Sequence, residues 1–473
     1  MTGFVGRRRE LSLLERMLGR VRAGARTGRP GRALLIRGRR RVGKSRLVEE
    51  FVERQDTPSL YFTASAQPTL EADLRLFVEA AVSSNLPGAS VFTGQNPQSW
   101  DAALTLLVSA LPTDGQAIVV LDEIPYLIAN DPGFEGTLQK LFDREFSRRQ
   151  LLLIGIGSDL AMMEALNEYG RPFHQRATEM VVPPLSPADV ADMLRLPAAQ
   201  AIDAFLVSGG LPLVLSEWQA QTDVMAHLEE TIPDPTSALL VSGERALASE
   251  FPAESQARAV LQAIGSGERS FALIARAAGG LPQASLQRAL RLLIAKRVVE
   301  AQTPLSTTPS RETRYLVADP HLRFWLAFLG PHLSEIDRGR GDLVLNRIRA
   351  SWTTWRGRAV EPVVREGLRR MSDGILPTGT HEIGGYWTRT NDPEIDLVGA
   401  DRSPVAGRIS FVGSVKWHEQ RPFDTHDLAR LSIHRSRLPG ADESTPLLVV
   451  SRTGSTLQGL TVIDPEDLVA AFA

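Results

Sequence analysis

The chain has 473 residues, of which 43% are hydrophobic and 23% are charged, and its formal net charge is −2. This length predicts roughly three domains with proper apolar cores. The absence of cysteine excludes disulfides, thiol catalysis and cysteine-ligated metal centres. Because no apolar run approaches the ~20 residues of a membrane span and no signal-like segment is present, we expect a cytoplasmic protein without membrane partners.

Positive charge is concentrated in the first part of the chain. Residues 1–50 hold 15 arginines and lysines but only four acidic residues. Such a segment can face nucleic acid, although charge runs are more often solvated or arranged around an anionic ligand. We favour the second interpretation.

The first apolar run, Arg32–Arg37, predicts a buried strand, and residues 45–54 predict a helix. Between them lies the spacing G-x-x-x-x-G-K-S, in which backbone amides surround phosphates and the lysine reaches the β- and γ-phosphates. Lys44 is one of only four lysines among 53 cationic side chains, which indicates a specific role. The predicted ATP contacts in this segment are Gly38, Arg41, Gly43, Lys44, Ser45 and Arg46.

Two further apolar runs, residues 117–121 and 151–156, predict buried strands that end in polar residues. The first is followed by Asp122 and Glu123, typical of an aspartate that holds Mg²⁺ with Ser45 and a glutamate that polarises the attacking water. The second is followed by Ser158, which is either a sensor hydroxyl near the γ-phosphate or the N-cap of the next helix. These residues predict Mg²⁺-dependent ATP hydrolysis, with Glu123, Lys44 and Ser158 as catalytic residues.

Residues 251–335 have a different pattern. Three helices, 257–264, 271–278 and 284–296, are predicted to precede two strands, 298–300 and 314–317, which is the element order of a winged helix-turn-helix. The third helix offers arginines and glutamines that could contact DNA phosphates, and the alternative is a purely structural module. These side chains are Gln283, Gln287, Arg288, Arg291 and Arg297.

Several motifs resemble the archaeal-type P-loop ATPases and their STAND relatives. The segment from Phe4 to Glu10 resembles their N-terminal hhGRxxE motif, and residues 121–126, 172–176 and 209–212 resemble further motifs. The resemblance implies that Gly6 and Arg7 lie near the base, Arg176 near the γ-phosphate and Pro212 in a helical lid. Members of the family usually have glycine before that arginine, where this chain has Gln175. An ordinary surface arginine is the alternative for Arg176.

The resemblance also implies a winged helix and a C-terminal domain related to PD-(D/E)XK nucleases, so it covers essentially the whole chain. The predicted fold is α/β: a P-loop NTPase with a doubly wound parallel sheet over residues 1–185, a helical lid over 186–250, a winged helix over 251–335 and a restriction-endonuclease-like α/β domain over 345–473. Residues 337–342 are the predicted linker.

A nuclease of this type needs an aspartate, then an acidic residue two positions before a lysine. Asp396 and Lys416 match this pattern, and Glu361 resembles the additional upstream acid. Ser414 stands where the second acid is expected, and a hydroxyl is a weak Mg²⁺ ligand. Glu394, on the same strand face as Asp396, is the better candidate to replace it, ahead of Glu419. We favour a structural or DNA-binding remnant over an active nuclease.

The sequence thus predicts an ATP-hydrolysing switch whose partners are ATP, Mg²⁺ and DNA, the last through the winged helix and the C-terminal domain. An ATP-dependent nuclease and a nucleotide-gated signalling scaffold, the latter as a homo-oligomer, are the alternatives.

Overall fold

The chain forms two compact units, Met1–Pro184 and Leu185–Ala473, in a computed structural model. The structure describes residues 4–24, 28–66, 69–158, 160–166, 168–171, 173–250, 255–371 and 374–473. Within these ranges, no helix is both long enough and apolar enough to cross a bilayer.

The first unit alternates strands and helices. Its strands are β1 (Arg32–Arg37), β2 (Ser59–Thr63), β3 (Ala117–Asp122), β4 (Leu151–Gly157) and β5 (Ala177–Val181). Its α-helices are α1 (Arg8–Gly24), α2 (Lys44–Glu53), α3 (Leu70–Val82), α4 (Trp100–Ala110), α5 (Ile124–Asn130), α6 (Phe134–Arg144) and α7 (Leu160–Ala165), with 3₁₀ turns at Ala89–Phe92 and Phe146–Arg148.

All neighbouring strands in this sheet are parallel, in the order β2-β3-β4-β1-β5. The central strands β3 and β4 are buried along their whole length, because their Val, Ile and Leu side chains are covered on both faces. Arg37 lies opposite Gly157, and Thr63 lies opposite Asp122, so the carboxyl ends of the strands meet at one edge. The predicted doubly wound parallel sheet is confirmed.

The second unit begins with helices. These are α8 (Pro187–Leu194), α9 (Ala198–Ser208), α10 (Pro212–Ser216), α11 (Val224–Thr231), α12 (Ala238–Glu250), α13 (Gln256–Gly265), α14 (Phe271–Ala277) and α15 (Gln283–Ala295). The strands β6 (Val299–Gln302) and β7 (Arg314–Val317) then pair antiparallel, so residues 256–317 have the predicted order of three helices and a two-stranded ribbon.

The rest of the second unit is a helical connection followed by a mixed sheet. Its elements are α16 (Pro320–Phe324), a π-helical turn (Trp325–Leu329), a 3₁₀ turn (Gly330–His332), α17 (Leu333–Asp337), α18 (Gly341–Ala359), α19 (Glu361–Arg370), β8 (Glu382–Trp387), β9 (Glu394–Ala400), β10 (Ile409–Lys416), α20 (Thr425–Ser436), β11 (Leu447–Ser451), β12 (Thr461–Ile463) and α21 (Pro465–Ala470). The sheet order is β12-β11-β10-β9-β8, antiparallel from β8 to β10 and parallel from β10 to β12.

The predicted linker at 337–342 is wrong. Residues 338–340 form only a tight turn between α17 and α18. Ile336 and Val344, on either side of that turn, are buried in the same apolar core. The Arg-Gly-Arg-Gly sequence at 338–341 therefore marks a turn between packed helices.

The helix α9, predicted to lie in a separate lid, shares a core with the C-terminal sheet. Ile202 and Leu206 of α9 are fully buried in a cluster that also contains residues of β9, β10 and β11. Because that core is continuous, residues 185–250 and 345–473 belong to one compact unit. The finer four-part division stays a prediction.

A buried charge network reinforces this contact. The Asp203 carboxylate of α9 accepts hydrogen bonds from Arg356 Nη1 at 3.0 Å, Arg452 Nη1 at 2.7 Å and Trp417 Nε1 at 2.9 Å. Arg356 is 1% exposed, so its positive charge is stabilised by protein groups and not by water. These bonds connect α9 to α18 and to the residues that follow β10 and β11.

We expect Asp203→Ala to lower the free energy of unfolding by about 3–5 kcal/mol, because it leaves buried guanidinium groups without their shared carboxylate. Urea unfolding of the full chain measures this effect. The control is Glu230→Ala, which removes an exposed carboxylate in the same unit and should change stability by less than about 0.5 kcal/mol. Equal stabilities for the two variants would contradict a structural role for the network.

Candidate functional site

The loop between β1 and α2 carries the G-x-x-x-x-G-K-S motif. Gly43 caps α2 with φ 85°, a left-handed conformation that glycine adopts without steric cost. A Cβ on Gly38 would lie 2.5 Å from the carbonyl oxygen of Val182, so that position requires glycine. Arg41, at the exposed tip of the loop, has φ 66°. The loop therefore places backbone amides at the N-terminus of α2, which is an anion-binding arrangement.

The Lys44 side chain lies within this loop and is only 6% exposed. Its Nζ donates hydrogen bonds to the carbonyl oxygens of Gly38 at 2.9 Å and Arg39 at 3.0 Å. Burial lowers the pKa of Lys44, and the carboxylates of Glu123 and Asp122 oppose this shift. The ammonium is thus held beside the phosphate-binding amides and near the two predicted acidic residues.

Asp122 ends β3 with both carboxylate oxygens engaged. Its Oδ1 accepts from the backbone N–H of Glu123 at 2.9 Å, and its Oδ2 accepts from the Tyr61 hydroxyl at 3.0 Å. Burial and then the charge of Asp122 raise the pKa of Tyr61, and the nearby Ser45 side chain opposes this shift. Sequence reasoning missed Tyr61, which lies on β2 and carries no motif.

Glu123 adopts a left-handed conformation, with φ 58° and ψ 46°, immediately before α5. This backbone is unfavourable for a residue with a Cβ and turns the chain sharply at the end of the strand. Ser158, after β4, donates its hydroxyl to the Glu123 carboxylate, with distances of 3.1 and 2.9 Å to the two oxygens. The serine hydroxyl is therefore directed at the predicted base.

The donor set fits ATP with Mg²⁺. Asp122, one predicted ligand, accepts from the Tyr61 hydroxyl, and the side chain of Ser45, the other, lies near enough to that hydroxyl to lower the pKa of Tyr61. A hydroxyl and a carboxylate are the oxygen ligands that Mg²⁺ accepts beside substrate phosphates. Lys44 and the loop amides lie beside them and can bind the phosphates.

The N-terminal motif supports the phosphate loop directly. Gly6 and Arg7 both have positive φ, 75° and 61°, and Arg7 is 5% exposed. Arg7 Nη2 donates to the carbonyl oxygen of Val42 at 2.7 Å, within the loop. Arg7 thus fixes the backbone that precedes Gly43.

Arg46 lies on the exposed face of α2, where it pairs with Glu50 at 2.9 Å and Glu53 at 3.2 Å. These are helix-surface ion pairs, which stabilise an exposed helix only slightly. The nucleotide contact of Arg46 stays a prediction.

Arg176 contacts an acidic residue of α6. Its Nε and Nη2 donate to the Asp143 carboxylate at 2.9 to 3.0 Å, a bidentate geometry, and Nη1 donates to the His174 carbonyl at 3.1 Å. Gln175, in the position where glycine was expected, has φ 59°. The backbone at position 175 is therefore left-handed although the residue is not glycine. Pro172 of the same motif lies outside the described residues.

Pro212 begins α10 of the second unit, after two glycines with positive φ. A Cβ on Gly210 would lie 2.0 Å from the carbonyl oxygen of Leu185, and one on Gly209 would lie 2.8 Å from the His321 side chain. Close backbone packing therefore explains both glycines of this motif.

In the C-terminal domain, Asp396 and Ser414 lie together on neighbouring strands. Asp396 Oδ2 accepts from the Ser414 hydroxyl and from the Val415 backbone N–H, both at 2.9 Å. Lys416 pairs with Asp427 of α20 at 2.9 Å, and Asp427 is 6% exposed. Sequence reasoning missed Asp427, which lies on a helix that no motif marks.

The other acidic residues here are neutralised by arginine. Glu394 pairs with Arg314 at 2.6 Å and Arg269 at 3.7 Å, and Glu361 pairs with Arg365 at 3.0 Å. Among the described residues, no group of three or more His, Asp or Glu side chains is arranged to hold a metal ion.

Both candidates to replace the missing acid at Ser414 have arginine partners in this arrangement. Glu394 pairs with Arg314, and the alternative, Glu419, pairs with Arg356, both at 2.6 Å. The replacement of the second acid by Glu394 stays a prediction.

Two family models match the chain. Residues 30–190 match the family described as "AAA domain", and residues 325–428 match the family described as "Archaea bacterial proteins of unknown function". The first match is consistent with the P-loop ATPases that the motifs of this chain resemble. The resemblance drawn from the motifs is thereby confirmed.

Individual relatives are more distant. The uncharacterized protein MJECL04 of Methanocaldococcus jannaschii is 25% identical over 417 residues, which cover 87% of this chain and 88% of that protein. The Walker-type ATPase PABY2304 of Pyrococcus abyssi is 20% identical, with a TM-score of 0.49, and covers 68% of this chain and 96% of its own. The ORC2 protein of Aeropyrum pernix is 15% identical, with a TM-score of 0.46, and covers 74% and 98%.

Proposed function

We propose that the first unit hydrolyses ATP in the presence of Mg²⁺ and that its nucleotide state controls a DNA-associated second unit. The observation that carries the hydrolytic part is the pair of hydrogen-bond contacts from Ser158 to Glu123, beside Lys44 and Asp122. A carboxylate fixed next to a phosphate-binding loop is the arrangement that general-base activation of water needs.

Each residue has a separate role in this proposal. Lys44 exchanges its contacts with the Gly38 and Arg39 carbonyls for phosphate oxygens. Glu123 accepts the proton of the attacking water, and Ser158 fixes the direction of its carboxylate. Mg²⁺, when held by Ser45 and Asp122, neutralises negative charge on the phosphates.

Lys44→Ala should weaken ATP binding at least tenfold, because it removes the buried ammonium from the phosphate loop. Glu123→Gln should keep ATP binding and lower kcat by about 10²- to 10⁴-fold, the usual contribution of a general base. Calorimetry and phosphate release measure the two effects. Lys140→Ala and Glu145→Gln, at residues with exposed side chains in the same unit, are the matched controls. ATP turnover that survives both site variants would refute the proposal.

The chain segment that leaves the first unit supports the coupling. The backbone N–H of Val182 donates to the Arg37 carbonyl at 2.8 Å, directly before the phosphate loop. Three residues later, Leu185 N–H donates to the Gly210 carbonyl at 2.9 Å in the second unit. Pro183 and Pro184 connect these two anchors, and proline restricts the backbone between them. We propose that a shift of the phosphate loop reaches the second unit through these two prolines.

The double change Pro183→Gly and Pro184→Gly should leave ATP binding intact but weaken this coupling, because glycine makes the connection flexible. Hydrogen exchange of residues 185–473, measured with and without ATP, reports the coupling. We expect ATP to change exchange in the wild type and to have little effect on the second unit of the variant. Pro132→Gly, in a loop of the first unit, is the control, and an unchanged ATP response in the double variant would contradict the proposed route.

The DNA contact is proposed for helix α15. Gln287, Arg288 and Arg291 are exposed on one face of this helix. The loop between β6 and β7 is engaged elsewhere, because Leu305 N–H donates to the Gly385 carbonyl at 2.9 Å. At the end of that loop, Arg314 stacks over the Trp387 ring at 4.5 Å. The helix is thus the part of the predicted winged helix that presents phosphate-binding side chains.

Arg288→Gln combined with Arg291→Gln should weaken DNA binding uniformly across sequences and reduce the slope of log K against log salt by about 2. Fluorescence anisotropy with a labelled duplex at several salt concentrations measures both quantities. The control changes two exposed arginines of the first unit, Arg75→Gln and Arg144→Gln, and should leave the slope unchanged. Equal losses in the two double variants would indicate a general charge effect and would contradict a specific role for α15.

The C-terminal domain is proposed to be a structural or DNA-binding remnant of a nuclease fold. Its Asp396 and Lys416 have partners other than a metal, as do its glutamates Glu361 and Glu394. The homo-oligomer stays a prediction.

A further inference from the structure

We propose that Tyr61 is a positioning residue for the magnesium ion, acting through Asp122. This inference rests on the proposed ATP site and adds a residue to it that no motif contains. Tyr61 lies on β2, the strand beside β3, and is paired with Val120 of β3 in the parallel register. From there its ring reaches along the sheet to the carboxyl edge.

The Tyr61 hydroxyl contacts the carboxylate assigned to the metal. It is 3.0 Å from Asp122 Oδ2, and the Ser45 side chain lies near enough to lower the pKa of Tyr61. Since an ionised carboxylate only accepts hydrogen bonds, the phenol donates its proton to Asp122. One hydroxyl therefore fixes the direction of the Asp122 carboxylate beside Ser45.

The geometry leaves Asp122 able to bind a cation. Oδ1 and Oδ2 each accept one protein donor, from Glu123 N–H and from Tyr61 respectively. A carboxylate oxygen has two lone pairs, so each keeps one for a metal. Mg²⁺ requires near-ideal octahedral angles at short distances, which makes its affinity sensitive to how firmly the ligands are directed.

Tyr61→Phe keeps the ring and removes only the hydroxyl. We expect it to leave the Kd of a fluorescent, non-hydrolysable ATP analogue within about twofold of wild type in EDTA. The Mg²⁺ concentration for half-maximal enhancement of binding should rise about tenfold, as is typical when a partner of a metal ligand is lost. Direct Mn²⁺ binding to the full chain with ADP, followed by electron paramagnetic resonance, should show the same loss of affinity.

Tyr126→Phe is the matched control, because its hydroxyl lies 3.2 Å from Arg40 Nη2 and removing it leaves Asp122 and Ser45 untouched. Its Mg²⁺ titration should coincide with wild type. If Tyr61→Phe does not fold, as judged by its melting temperature, Tyr61→His provides the same test, since the shorter ring cannot reach Asp122.

The outcomes separate this inference from the function it depends on. A wild-type Mg²⁺ titration in a folded Tyr61 variant overturns the role of Tyr61 alone. An equal loss of binding in EDTA and in Mg²⁺ also overturns it, because a general packing defect is not specific for the metal. Full nucleotide binding by Lys44→Ala overturns the ATP site and this inference together.

Discussion

The parallel pairing of β1, β3 and β4 is the constraint on which the candidate site depends. Their registers bring the carboxyl ends of the strands to one edge. The residues at the ends of β1, β3 and β4 therefore supply, in that order, the phosphate loop, the acidic pair and Ser158. A slip of one residue between β3 and β4 would move Ser158 relative to Glu123 and break their contact.

Arginine sets the electrostatics of the rest of the molecule. The chain has 55 acidic side chains and only four lysines, so the ion pairs of its carboxylates are mostly with arginine. Asp203, Glu361 and Glu394 are all held in this way, and Asp203 is shared by two arginines. A planar guanidinium can serve several acceptors at once, which suits such buried clusters. Lys44 differs, because a compact ammonium fits between the loop carbonyls and the phosphates.

Much of the first unit could be predicted from the sequence, because its signals are local. The runs at β1, β3 and β4 are continuous and apolar, and each ends in a residue whose chemistry identifies it, such as Lys44 or Asp122. The order of α13 to α15 and β6 to β7 also follows from local periodicity. The turn at 338–340 was misread, because glycine and arginine are as common in exposed turns as in linkers.

The residues that sequence reasoning missed depend on pairings distant in the chain. Tyr61 is 61 residues from Asp122, and Asp203 is 214 residues from Trp417. No periodicity indicates such contacts, since they exist only once the sheets are assembled. The motif around Arg176 predicts a contact with phosphate. It gives no sign of the Asp143 carboxylate of α6, which Arg176 contacts in this structure.

Ser414 is better explained by its neighbours than by the loss of a catalytic acid. Its hydroxyl donates to Asp396 at 2.9 Å, and the next backbone N–H donates to the same oxygen. A carboxylate at position 414 would place two negative groups in contact, which requires a cation or a proton between them. Lys416 cannot supply that charge while it pairs with Asp427. A serine at 414 gives Asp396 a neutral hydrogen-bond donor, so this contact needs no cation between the two side chains.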